Sequence, residues 1–145
     1  MTTPQERAAG AVVLVTGAST GIGLATAFHF ARRGHRVFAA MRAPERATDF
    51  QEAAASAGVT PEVLTLDVCD EAAACAAVEE VIARAGRIDL LVNNAGIGGP
   101  GSVEETEVAV ARQIFDTNYF GTVHMVRAAL PHMRARRSGT IVNIS

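Results

Sequence analysis

The sequence of 145 residues contains no lysine and no tryptophan, and it has one tyrosine and two cysteines. All thirteen basic residues are therefore arginine, and the formal net charge is −2. A weakly negative chain has no general attraction for phosphate backbones or for anionic membrane surfaces. We therefore expect neither nucleic acid nor a membrane as a partner.

The few residues with metal-binding or redox chemistry are dispersed along the chain. Cys69 and Cys75 lie six residues apart with no nearby histidine, a spacing that matches no zinc, haem or thioredoxin-type site. We expect buried or inert thiols. The four histidines also lack partners at metal-ligand spacing and are interpreted as surface or helix-packing residues: His29, His35, His124 and His132. No metal site is predicted.

Long apolar runs are absent as well. No run approaches the roughly 20 apolar residues needed to span a bilayer. The first ten residues lack the apolar core of a secretion signal. These two observations predict a soluble, cytoplasmic protein.

The chain is rich in alanine, which supplies 28 residues, and hydrophobic residues make up 49% of it. This composition favours a helix-rich α/β fold with an aliphatic core over disorder. A chain of this length suffices for one domain and is too short for two of ordinary size. Residues 1–145 are therefore interpreted as a single domain.

An apolar stretch at residues 11–16 ends in a glycine-rich segment with Gly17, Gly21 and Gly23, and a helical pattern follows. Gly17 permits a sharp turn off a strand, and the missing Cβ atoms of Gly21 and Gly23 allow a diphosphate to approach the helix start. The spacing Gly-x-x-x-Gly-x-Gly departs from the Gly-x-Gly-x-x-Gly dinucleotide fingerprint. The segment predicts a phosphate cradle, and an ordinary glycine-rich loop is the alternative.

Apolar runs alternate with helical patterns along the chain. Buried strands are predicted at residues 12–16, 36–40, 62–66, 88–92 and 140–144, and helices at residues 21–33, 45–57, 71–85 and 104–137. This alternation predicts an α/β fold with a doubly wound parallel sheet and right-handed crossovers. Gly121 and Pro131 are expected to kink or divide the last helix. The loop at residues 96–101 follows the fourth strand, so we expect it to line a ligand crevice.

Four separated motifs resemble those of the short-chain dehydrogenase/reductase family. In the family's order they are Thr16-Gly17-Ala18-Ser19-Thr20-Gly21-Ile22-Gly23, Asp67-Val68, Asn93-Asn94-Ala95-Gly96 and Asn118-Tyr119-Phe120-Gly121. The resemblance covers nearly the whole chain and implies a Rossmann-type fold, truncated after the fifth strand, that binds a nicotinamide cofactor. It implies cofactor-binding roles for eleven residues: Gly17, Ser19, Thr20, Gly21, Ile22, Gly23, Asp67, Val68, Asn93, Ala95 and Gly96.

The resemblance also implies individual roles. Asp67 accepts from the adenine amino group, and the alternative is that Asp67 or Asp70 serves as the N-cap of the following helix. One of Asn93 and Asn94 ties neighbouring strands together, and a plain Asx-turn is the alternative. Asn118 is the candidate catalytic residue, because the family uses it to anchor a water in the proton relay.

The end of the second strand bears on the choice of cofactor. A carboxylate there accepts from the ribose 2′-hydroxyl of NAD and repels a 2′-phosphate. Met41 occupies that position here and Arg42 follows. The arginine fork binds phosphate oxygens through parallel hydrogen bonds, so the sequence favours NADP over NAD. A merely solvated Arg42 is the alternative.

The resemblance stops before the family's catalytic pair. The family uses a serine after the fifth strand and a Tyr-x-x-x-Lys pair whose lysine lowers the tyrosine pKa. This chain has no lysine, its only tyrosine is Tyr119, and it ends at Ser145. We expect an N-terminal fragment, inactive by itself, of an NADP-dependent, homo-oligomeric oxidoreductase that interconverts an alcohol and a carbonyl compound. The alternative is a non-enzymatic dinucleotide-binding module or an unstable fragment that binds nothing. Residues 140–144 should present an unpaired strand edge, so we expect the isolated chain to be oligomeric or aggregation-prone.

Overall fold

The computed structural model describes residues 10–99 and 101–145. Within them five strands and five α-helices follow one another, and two helices lie between the last two strands. The elements are β1 Val12–Thr16, α1 Gly21–Arg32, β2 Arg36–Met41, α2 Thr48–Ala57, β3 Glu62–Thr65, α3 Glu71–Ala85, β4 Leu90–Asn93, α4 Val108–Phe115, α5 Gly121–Arg136 and β5 Thr140–Asn143. A 3-10 turn, Pro44–Arg46, precedes α2, and a π-helical turn, Asp116–Phe120, joins α4 to α5. Residues 1–9 and Pro100 lie outside the described part. The interpretation of the first ten residues therefore falls almost entirely outside it, as does one residue of the predicted loop 96–101.

The five strands are parallel and form one sheet in the order β3-β2-β1-β4-β5. The predicted doubly wound α/β fold is therefore confirmed. The order reverses at β1, because β2 lies on one side of it and β4 on the other. In such sheets ligands bind beyond the carboxyl ends of the strands at the reversal. The fold therefore directs attention to the loops that follow Thr16 and Asn93.

Helices cover both faces of the sheet. Successive residues of a strand point to opposite faces, so Leu14 joins the apolar cluster packed against α3 and α5, whereas Val13 and Val15 join the cluster packed against α1 and α2. The side of α3 that faces the core carries the small residues Ala74 and Ala77. Their size lets α3 lie close to the sheet.

The last predicted helix is divided at one place. It begins at Val108 rather than at residue 104, and the π-helical turn lies immediately before Gly121. A division near Gly121 is thus observed, whereas α5 continues through Pro131 to Arg136. Pro131 and Arg127 are both exposed, so water can satisfy the Arg127 carbonyl that has no N–H donor at the proline.

Strand β5 is an edge strand of the described sheet. It pairs with β4, and Val142 and Ile144 remain 39% and 43% exposed. Unpaired edges and exposed apolar side chains promote association. The expected association of the chain stays a prediction.

Asp89 ties the starts of two strands to the end of a helix. Its Oδ2 accepts from the Val12 amide at 2.8 Å and from Arg87 Nε at 2.7 Å, and its Oδ1 accepts from Arg136 Nη2 at 2.9 Å. Burial opposes ionisation of this carboxyl, but the three donors hold its pKa below the usual value. One side chain therefore joins β1, the start of β4 and the end of α5.

The cysteines differ from expectation. Cys69 and Cys75 are free and both are exposed, so of the two expected alternatives burial is wrong, and inert thiols stay a prediction. In residues 10–99 and 101–145, no group of three His, Cys, Asp or Glu side chains is arranged to hold a metal ion. The helices of the same part of the chain are too short or too polar to cross a bilayer.

Candidate cofactor site

A cavity of about 400 Å³ lies at the carboxyl ends of the strands. Ten of the twelve residues predicted to bind a cofactor line it, and Gly23 and Asn93 do not. The predicted lining residues are Gly17, Ser19, Thr20, Gly21, Ile22, Arg42, Asp67, Val68, Ala95 and Gly96. The other lining residues are Thr16, Ala40, Met41, Leu66, Asn94, Ile97 and Thr117.

Glycine is required for different structural reasons at the three glycine positions of the loop after β1. Gly17 has φ +65°, and a Cβ there would lie 2.7 Å from Ala95 Cα. A Cβ on Gly23 would lie 2.3 Å from Gly17 O and 2.4 Å from Asn94 Nδ2. Gly21 has φ +56° and has nothing within 4 Å of its Cβ position. Gly17 and Gly23 thus permit close packing, whereas Gly21 supplies a left-handed turn at the open cavity.

The amino terminus of α1 faces the same cavity. Thr20 is the N-cap in an extended conformation, and its side chain makes no capping hydrogen bond. Gly21 and Ile22, the first residues of the helix, line the cavity. Amides of a first helical turn have no intrahelical acceptor and carry the positive end of the helix dipole. The local chemistry therefore suits an anion.

The loops after β1 and β4 are joined through Thr16 and Asn94. Thr16 Oγ1 accepts from the amides of Asn94 and Ala95 at 3.1 and 3.0 Å. Asn94 Nδ2 donates to the carbonyls of Thr16 and Gly17, each at 3.1 Å. These bonds hold the glycine loop and the loop after β4 as one unit.

Asn93 has a different position from its neighbour. It is 4% exposed, and its Nδ2 donates to Asn143 Oδ1 at 2.9 Å, which joins β4 to β5. Both asparagines thus tie strands together, Asn93 toward β5 and Asn94 toward β1. Asn94, which was not among the predicted binding residues, lines the cavity in place of Asn93.

The loop between β3 and α3 places Asp67 and Val68 in the cavity wall. Asp70 caps α3, because its side chain accepts from the amides of Ala72 and Ala73. Asp67 Oδ1 instead accepts from the Cys69 amide at 2.9 Å. Of the two alternative caps, Asp70 is therefore the one observed and Asp67 is not, and Asp67 lines the cavity.

The end of β2 contributes a charge. Met41 is 3% exposed and belongs to the core, whereas Arg42 is exposed and lines the cavity. Asp67 is the single carboxylate among the described lining residues. The cavity wall at the end of β2 is therefore cationic, and the lining residues there include no acidic side chain.

Asn118 lies in the π-helical turn and holds the loop after β4. Its Oδ1 accepts from the Ile97 amide at 2.8 Å, and its Nδ2 donates to the Ile97 carbonyl at 2.9 Å. Asn118 itself does not line the cavity, whereas Ile97 and Thr117 do. The observed role of its side chain is to position that loop, and the anchoring of a water stays a prediction.

Comparisons with known proteins agree with this geometry. The family model described as short chain dehydrogenase matches residues 11–145. The chain belongs to the short-chain dehydrogenase family.

Two relatives of this chain are informative. A 3-ketodihydrosphingosine reductase of Bacteroides thetaiotaomicron is 40% identical over 135 residues, which cover 92% of this chain and 46% of the relative. Retinol dehydrogenase 8 of Bos taurus is 40% identical over 137 residues, which cover 92% and 43%. The chain thus spans less than half the length of both.

Solved structures show the same arrangement. The crystal structure of a short-chain dehydrogenase from Streptomyces avermitilis shares 42% sequence identity and superposes with a TM-score of 0.83, covering 94% of this chain and 49% of that one. Thermoplasma acidophilum aldohexose dehydrogenase shares 32% identity with a TM-score of 0.80. The Rossmann-like fold of this chain is therefore shared with known members of the family.

Membership of this family implies a nicotinamide dinucleotide cofactor. The observed cavity fits such a cofactor in two respects. The uncapped start of α1, with open space at Gly21, suits the diphosphate. Asp67, which also lines the cavity, carries a carboxylate that is an acceptor for an amino group.

Proposed function

We propose that this chain binds NADP(H) in preference to NAD(H). In this proposal it is the cofactor-binding part of an oxidoreductase that interconverts an alcohol and a carbonyl compound. The observation that carries the choice of NADP is the end of β2, where exposed Arg42 borders the cavity and buried Met41 stands before it. A guanidinium binds phosphate oxygens through two parallel hydrogen bonds. The ribose of NAD has no phosphate at this place.

The remaining cavity residues have separate roles in this proposal. The first amides of α1, at Gly21 and Ile22, bind the diphosphate. Asp67 accepts from the amino group of adenine, and the backbone near Ala95 and Gly96 lies against a nucleoside. A bound nicotinamide supplies hydride transfer. The chain's own contribution is to bind and orient that cofactor.

The class of reaction is supported by the relatives. One relative is named as a reductase of a 3-keto compound and another as a dehydrogenase of retinol. Those names describe a carbonyl group and an alcohol group, respectively. We extend only this shared chemistry to the present protein.

Self-association of the whole protein is a further part of the proposal. Apolar side chains of α4 and the π-helical turn are strongly exposed: Val108, Phe115, Tyr119 and Phe120. Several large apolar side chains exposed along adjoining helical segments are typical of protein interfaces. It supports a homo-oligomer formed by copies of this chain.

The cofactor choice is tested by isothermal titration calorimetry with NADP⁺ and NAD⁺. Loss of a charge-assisted hydrogen bond weakens binding by about tenfold or more, so Arg42→Ala should weaken NADP⁺ binding by that factor and leave NAD⁺ nearly unchanged. Arg46→Ala is the control, because Arg46 lies outside the cavity lining and pairs with Glu45 at the surface. Equal weakening of both dinucleotides by Arg42→Ala would rule out the proposed contact.

A non-enzymatic dinucleotide-binding module is the second candidate. It is favoured by one observation: the chain contains no lysine, and Tyr119, its single tyrosine, is 58% exposed and does not line the cavity described here. Such a module retains the binding preference of the first candidate and lacks turnover. The two candidates are separated by an activity measurement.

A further inference from the structure

His124 of α5 reaches the loop between β3 and α3. Its Nδ1 lies 2.9 Å from the Val68 carbonyl oxygen. Because a carbonyl oxygen only accepts, Nδ1 must carry the hydrogen of this bond. His124 therefore donates to the same loop that places Asp67 in the cavity wall.

The bond acts on one peptide unit with two fixed ends. The Val68 carbonyl belongs to the peptide whose N–H is that of Cys69, and this N–H donates to Asp67 Oδ1 at 2.9 Å. Imidazole, peptide and carboxylate thus form a continuous row of donors and acceptors. Hydrogen bonds in such a row polarise and strengthen one another.

The packing of α5 holds His124 at this distance. Gly121 lies one turn before His124, and a Cβ there would come within 2.6 Å of Val68 Cγ2. The hydroxyl of Thr117 lies 3.4 Å from Cys69 Sγ. Because Gly121 has no side chain, the helix approaches Val68 closely. This packing holds His124 within hydrogen-bonding distance of the Val68 carbonyl oxygen.

We infer that His124 is a positioning residue for recognition of the adenine base. By holding the Val68–Cys69 peptide, it fixes the Asp67 carboxylate with Oδ1 engaged and Oδ2 left for the amino group of adenine. This inference rests on the proposed dinucleotide-binding function and names the group that orients its base acceptor. From the sequence, His124 was interpreted only as a surface or helix-packing residue.

Base selectivity distinguishes positioning from general support of the fold. Hypoxanthine has a carbonyl oxygen where adenine has its amino group, so a fixed carboxylate favours adenine and repels hypoxanthine. A carboxylate that is free to turn away discriminates less. A substitution that only loosens the protein weakens both dinucleotides alike.

The test measures the dissociation constants of NADP⁺ and its hypoxanthine counterpart by calorimetry. For His124→Leu we expect NADP⁺ to bind about three- to tenfold more weakly, as for the loss of one hydrogen bond. The hypoxanthine dinucleotide should bind no more weakly than before, so the selectivity ratio, defined as the dissociation constant of the hypoxanthine dinucleotide divided by that of NADP⁺, falls. His124→Asn should restore the ratio, because Asn Nδ2 takes nearly the position of His Nδ1 on the shorter side chain.

His132→Leu is the matched control on the same helix. Its Nε2 lies 2.9 Å from Glu79 Oε1 on α3, away from the loop between β3 and α3. We expect an unchanged ratio in this variant even if its melting temperature falls.

The outcomes separate the two levels of inference. Binding of NADP⁺ by His124→Leu with the wild-type ratio overturns the positioning role, as does a lowered ratio in His132→Leu. If His124→Leu does not fold, the comparison of His124→Asn with His124→Gln decides, because glutamine places its amide one bond further out. Equal ratios in those two variants overturn the inference. Failure of the wild-type protein to bind either dinucleotide overturns the proposed function itself.

Discussion

Gly23 shows how strongly one residue can be constrained by the backbone around it. Its Cβ position lies 2.3 Å from Gly17 O, which is a backbone atom and cannot rotate away. Overpacking of this kind costs about 1–3 kcal/mol. We expect Gly23→Ala to lower the melting temperature by several degrees and to weaken NADP⁺ binding, measured by calorimetry.

The control for this substitution is Gly98→Ala. Gly98 lies in the loop after β4 and has nothing within 4 Å of its Cβ position. The added methyl group should leave both the melting temperature and NADP⁺ binding nearly unchanged. A Gly23→Ala protein indistinguishable from Gly98→Ala would show that the glycine loop can shift freely.

At the same scale, residue type alone does not show which of two adjacent residues makes a given contact. The pair Asn93-Asn94 predicts strand ties near a nucleoside, but one residue of register decides which side chain meets β1 and which meets β5. The structure assigns the cavity to Asn94. His124 was missed for a related reason, since its partner Val68 is 56 residues away in the sequence.

At the scale of elements, strand and helix positions were largely predictable because apolar periodicity and glycine stops are local signals. The division of the last helix was only partly predictable. Pro131 carries the stronger sequence signal, yet α5 tolerates it, and the observed division is the π-helical turn before Gly121. That widened turn serves tertiary contacts, because it brings Thr117 to the cavity and Asn118 to Ile97.

The Asp89 carboxylate joins several elements, and we predict that its contribution to stability depends on pH. Its lowered pKa means that its stabilising effect is fully present above the unfolded carboxyl pKa of about 3.9 and is lost as the pH falls through the lower folded value. Asp89→Asn should therefore reduce the free energy of unfolding by about 2–3 kcal/mol near pH 7. The difference from wild type should shrink below about pH 4.

Chemical denaturation across this pH range measures the effect. Glu45→Gln is the matched control, because the Glu45–Arg46 pair is strongly exposed and 3.8 Å long. It should change stability by less than about 0.5 kcal/mol. An Asp89→Asn difference that stays constant from pH 7 to pH 3 would contradict the assignment of the effect to this carboxyl.

At the scale of the whole molecule, the sheet topology explains why a sequence can locate a site without giving its internal bonds. Alternating strands and helices dictate a parallel sheet, and its reversal at β1 places the loops after Thr16 and Asn93 at one edge. Ten predicted residues meet there. The ties through Thr16, Asn94 and Asn118 depend on approach distances between loops, which no local pattern encodes.

The same whole-chain view predicts that this protein by itself binds a dinucleotide without turning over substrate. A carbonyl oxygen must gain or lose a proton as hydride is transferred, and this requires a positioned acid-base group. The chain has no lysine, and no histidine or tyrosine lines the described cavity. Because such a group contributes about 10²–10⁴-fold to the rate, any residual turnover should be lower than in an intact relative by that factor. NADPH oxidation is measured spectrophotometrically with a panel of ketones, aldehydes and quinones, beside a longer member of the family as the positive control. Turnover by the 145-residue chain that Asn118→Ala abolishes would overturn this prediction, whereas dinucleotide binding without turnover would support the proposed cofactor-binding role.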